Sequence, residues 1–151
     1  MIEIVLMAHV FFGVACPFAA LWVCVDTLNF SEANQRRIKK MSYAAAVFMW
    51  LSFLLAGYWY VFYYKADKAI ILNGPFPLAH NFFMEAKEHL AIILLMLASY
   101  LPIAAADNLL AHTGARRVLI WVAGMTVVLA LMMESGGGVI AMGVKAGLLS
   151  R

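Results

Sequence analysis

Four long apolar runs, at residues 4–25, 41–64, 90–106 and 118–144, alternate with short polar stretches, and Glu134 is the one charged side chain that falls inside a run. Each run approaches the roughly 20 residues that a helix needs to cross the hydrocarbon of a bilayer. In lipid an apolar segment must satisfy its own backbone groups, and a helix does so along its whole length. The pattern therefore predicts an all-α integral membrane four-helix bundle of up-down topology, with residues 1–151 forming a single transmembrane domain.

Local signals set the expected boundaries. The first run ends near Asp26 and Asn29, and Pro17 is expected to bend it, because proline removes one backbone bond. It carries Glu3 in place of a basic leader, holds His9 and Pro17, and is too long for the core of a signal peptide, so it reads as a retained helix. Ser31 is placed to cap a second helix that starts before the membrane. That helix ends in the aromatic run Tyr58, Trp59, Tyr60, Phe62, Tyr63 and Tyr64, a composition suited to the headgroup level. Asn73-Gly74-Pro75-Phe76-Pro77 is the strongest breaker, and the third helix is expected just after it. The third helix opens on a polar stretch, His80 to His89, before its apolar run. The fourth is expected to be interrupted at Glu134-Ser135-Gly136-Gly137-Gly138.

Composition agrees with the pattern. Hydrophobic residues make up 66% of the chain and charged residues 13%, against about half and a quarter in soluble domains. The net charge of +3 rests on Arg36, Arg37, Lys39, Lys40, Arg116 and Arg117, which border spans, so topology accounts for it and nucleic acid is not an expected partner. Connections one and three hold these six cations. Lys65, Lys68, Lys145 and Arg151 lie on the other side, which predicts both termini outside, on the periplasmic face of a bacterial inner membrane. Cys16 and Cys24 lie about 12 Å apart along one helix, too far to bridge, and read as small core residues.

Depth selects the candidate chemistry. His9 lies about 12 Å along the first helix and His89 about 16 Å along the third, and in an up-down bundle both helices enter from the same face. Glu85, Glu88 and His89 fall within an arc of about 100° on the third helix, with Lys87 pointing the other way. Glu134 belongs to the same outer half. An ionisable group within a span is costly, which makes each a candidate for function. The simpler alternatives are a hydrogen bond from His9 to Glu134, Ser135 or Tyr60, and wet carboxylates favoured by the dipole of the third helix. His80 and His112 read as surface residues, and Gly143-x-x-x-Gly147 as a weak oligomerisation signal.

Two cofactor types fit these residues. Heme b requires two axial imidazoles at matched depth, for which His9 and His89 are the candidates, and Gly13 with Gly136, Gly137 and Gly138 would give a macrocycle room. A single iron, copper or zinc ion is the alternative, with His9, Glu85, His89 and Glu134 as ligands and Glu88 beside them. A di-metal centre needs two Glu-x-x-His elements, and the chain has only the related Glu85-x-x-Glu88-His89. In its placement of His9 and His89 the chain resembles the small four-helix membrane proteins that hold a b-type heme between helices one and three. The resemblance implies membrane electron transfer; Glu85, Glu88 and Glu134 are then the expected catalytic residues, tuning the site or moving protons to a quinone near the outer face. A non-heme metal protein and a cofactor-free accessory subunit, associated with other membrane chains or with copies of itself, are the competing expectations.

Overall fold

The computed structural model describes residues 2–150, with side chains from Glu3 onward. Arg151, counted above among the outer cations, lies outside the described residues. The elements are α1 (Ile2–Leu28), α2 (Gln35–Phe62), α3 (Tyr64–Leu72), a π-helical segment (Ala79–Met84) that runs directly into α4 (Glu85–Ala106), and α5 (Thr113–Leu149). Four stretches, Glu3–Leu28, Gln35–Phe62, Ala79–Ala106 and Thr113–Leu149, are long and apolar enough to cross a membrane. Their outer surfaces are apolar as well. Ile4, Met7, Phe11, Phe18 and Trp22 along α1 and Ile92, Met96 and Ile103 along α4 are exposed, as lipid-facing side chains are.

The helices form a ring. α1 packs against α2 and α5, and α4 closes the bundle against the same two, so α1 and α4 share one diagonal. Two separate apolar clusters fill the interior. The larger is built mainly of small residues, among them Cys16, Ala20, Ala45, Ala98, Ala105 and Ala123, with Val23, Ile38, Leu101 and Leu119 toward the end that carries the basic connections. Small side chains let backbones approach closely, which is how helices gain packing energy where lipid offers no hydrophobic contrast. The smaller cluster joins Tyr64, Ile71, Ala79, Met84 and Ile140 at the opposite end, where α3 folds back against α5.

Two local expectations change, the cap of α2 and the interruption of α5. Ser31 does not cap α2. Its backbone N–H donates to Asn34 Oδ1 at 2.9 Å, and Asn34 occupies the cap position before Gln35. α1 is continuous through the buried Pro17. α5 likewise runs unbroken through Gly136, Gly137 and Gly138, because a helix held by neighbours tolerates glycine where an isolated one would fray.

The α1–α2 turn is fastened by a two-bond ion pair. Arg37 donates from Nε and one terminal nitrogen to the Asp26 carboxylate at 2.6 and 2.7 Å. Asp26 is nearly buried while Arg37 is half exposed. Replacing Arg37 with Met is therefore expected to lower the unfolding free energy modestly, because the charge-assisted pair is screened on the exposed guanidinium side. Reversible unfolding in mixed micelles measures it.

Candidate functional site

Between the two apolar clusters each of the four spanning helices contributes one polar side chain. α1 supplies His9, α2 Ser52, α4 Lys87 and α5 Glu134. His9 Nδ1 lies 3.0 Å from the Ser52 carbonyl oxygen and 2.9 Å from Ser52 Oγ. Ser52 Oγ also lies 3.1 Å from the His9 carbonyl oxygen, to which it donates. A carbonyl can only accept, so Nδ1 carries the proton and Nε2 is left as the basic nitrogen. The partner of His9 is therefore Ser52, not Glu134, Ser135 or Tyr60.

Glu134 reaches α1 at Gly13. A Cβ at position 13 would collide with Glu134 Oε1 and stand 3.3 Å from Ser52 Oγ, so the carboxylate occupies the space that the glycine leaves open. Lys87 lies along bare backbone on α5. A Cβ on Gly136 would be 3.4 Å from its Cδ, and one on Gly137 would be 3.0 Å from its Nζ. The Lys87 ammonium is within electrostatic range of both the Glu134 carboxylate and the His9 ring. A negative and a positive group thus balance near an imidazole with a free basic nitrogen, an arrangement able to hold and pass a proton within an otherwise apolar section.

Of the residues singled out from sequence, His9 and Glu134 belong to this layer and Glu85, Glu88 and His89 do not. All three of the latter are exposed. His89 Nδ1 donates to the Glu85 carbonyl oxygen of its own helix at 2.7 Å. Glu88 faces the Tyr60 hydroxyl. Lys87 does point away from these carboxylates, but it is the lysine that faces the interior. His9 and His89 are consequently not opposed across the bundle, and as a pair they do not fit the two axial positions of one heme. Among the described residues no three His, Cys, Asp or Glu side chains converge as metal ligands. The mixed site of His9, Glu85, His89 and Glu134 is therefore not assembled in this arrangement.

His112 is exposed and bonds Asp107 at 3.1 Å, in keeping with a surface residue. His80 is the opposite of what its position suggested, since it is 3% exposed and bonds the Tyr64 hydroxyl at 2.9 Å. His80 lies about half a turn around the helix from His89, so the rotation that turns His89 outward turns His80 inward, within a π-helical segment at residues 79–84. Such segments recur at functional sites.

The Gly143 and Gly147 pair works within the chain. A Cβ on Gly143 would stand 2.5 Å from Ala79 Cβ, and one on Gly147 2.6 Å from the Ile70 carbonyl oxygen, so these glycines seat α3 and the π-helical segment on α5. Cys16 and Cys24 are both free thiols, Cys16 fully buried in the core. No protein-family profile matches the chain, and neither curated proteins nor solved structures give a match.

Proposed function

We propose that this chain is a proton-handling component of membrane electron transfer, in which Glu134 and His9 exchange a proton inside the bundle beside the positive charge of Lys87. One observation carries the reading. The apolar interior is divided, and the dividing layer takes a polar side chain from each of four helices. Ionisable groups inside a span are expensive to keep and mark proton and ion paths. The basic connections favour an orientation with both termini on the periplasmic face of a bacterial inner membrane, which puts the layer in the outer half, within reach of a quinone pool.

The test is proton flux into liposomes containing the purified chain, driven by a potassium diffusion potential and followed with an entrapped pH dye. Glu134→Gln is expected to reduce the flux by about 100-fold, the low end of what a positioned acid–base group supplies. An unchanged rate overturns the assignment. Flux that appears only when other chains co-purify favours an accessory subunit of a larger assembly.

His9 Nε2 remains free and basic, which supports a second reading in which His9 is one axial ligand of a b-type heme and the other comes from outside this chain. A reduced-minus-oxidised spectrum with a Soret band that disappears in His9→Ala would favour it. Stoichiometric iron, copper or zinc without porphyrin would favour a non-heme metal protein.

A further inference from the structure

Where α3 and the π-helical segment fold against α5, two polar side chains are buried that the central layer does not use. Tyr64 is 2% exposed and His80 3%, and the Tyr64 hydroxyl lies 2.9 Å from His80 Nδ1. On the far side of the ring, His80 Nε2 faces Glu85 Oε1 at 3.9 Å. A carboxylate there favours the tautomer with its proton on Nε2, so Nδ1 is the acceptor and the phenol donates to it. The backbone holds this geometry on both sides, with Tyr64 at the start of α3 and His80 within the π-helical segment.

The surroundings suit electron loss from the phenol. Tyr60 stacks on Tyr64 with ring centroids 5.2 Å apart and planes at 20°, and Trp59 lies 5.3 Å away at 47°. Burial keeps the Tyr64 hydroxyl protonated well above the usual phenol range, and the nearby Tyr60, Glu88, Asp67 and Glu85 act in the same direction. A phenol that stays protonated at neutral pH gives up an electron readily only if its proton leaves with the electron, and a hydrogen-bonded base removes that obstacle.

We propose that Tyr64 is a redox-active tyrosine whose proton acceptor is His80. A one-electron metal-centred oxidant takes an electron from the phenol, the Oη–H bond breaks, and the proton passes to His80 Nδ1. The products are a neutral tyrosyl radical and an imidazolium whose Nε2–H faces Glu85. A one-electron donor reverses the step, with the proton returning from Nδ1 to the phenolic oxygen. Tyr60 and Trp59 are the adjacent positions to which the vacancy can move. This chemistry is independent of the role of Glu134.

The test uses the full chain in lipid nanodiscs with photogenerated tris(bipyridine)ruthenium(III) as oxidant, and detects the radical by electron paramagnetic resonance. Difluorotyrosine incorporated at position 64, which leaves the packing almost unchanged, is expected to alter the hyperfine pattern. His80→Gln is expected to slow radical formation at neutral pH by about 100-fold. Tyr60→Phe should leave the first radical in place. A pattern unaffected by difluorotyrosine at position 64 puts the radical elsewhere and overturns the proposal. So does an unchanged rate in a His80→Gln protein of wild-type helicity.

Discussion

Lys87→Met is expected to be among the most destabilising single changes in this chain, lowering the unfolding free energy by about 3 kcal/mol. The methionine fills the volume of the lysine stem along Gly136 and Gly137 but leaves Glu134 in an apolar section without its compensating charge. Restoring neutrality should recover most of the loss, so Lys87→Met combined with Glu134→Gln is expected to be more stable than Lys87→Met alone. Equilibrium unfolding in mixed micelles of the two single variants and the double variant measures the coupling directly. If the effects of the two substitutions simply add, the groups are independent and the central layer is not an electrostatic unit.

Gly147→Ala is the second large effect, expected to cost about 1–3 kcal/mol through overpacking. A Cβ there meets the Ile70 carbonyl oxygen at 2.6 Å, and one on Gly74 meets Gly147 Cα at 2.7 Å, so backbone faces backbone and no rotamer change relieves the clash. The change should release α3 from α5 and carry Tyr64 away from His80. Hydrogen exchange of the α3 amides should rise while that of α1 and α2 stays protected. Protection of α3 equal to that in the wild type would show that the glycine approach is not what seats it. Gly13→Ala makes a useful contrast. The new methyl group meets the end of the flexible Glu134 side chain, so its main expected consequence is a displaced carboxylate and altered proton flux, with a smaller loss of stability.

The inversion at the start of α4 shows how a helical wheel can be right and still mislead. Glu85, Glu88 and His89 share one face and Lys87 the opposite one, as their spacing requires. Which face turned inward depended on partners from other helices. Glu134 lies on the interior side to balance a lysine, while outward carboxylates in the first turns of α4 favour its dipole. The assumption that the face richer in ligands must be the inner one therefore failed. The burial of His80 follows from the same rotation, since it lies on the face of the helix opposite His89.

The sequence by itself determined the four spans, the short connections, the breaker before Ala79 and the isolation of Glu134 within an apolar run, because exclusion of unpaired backbone and charge from hydrocarbon acts on each segment alone. His9 was conspicuous for the same reason. Only the tertiary structure decided that Ser52 holds His9, that Lys87 faces inward, that Gly143 and Gly147 seat α3 and that His80 is buried against Tyr64. Each of these depends on the rotation of one helix about its axis relative to another, which is set by packing among side chains distant in the chain.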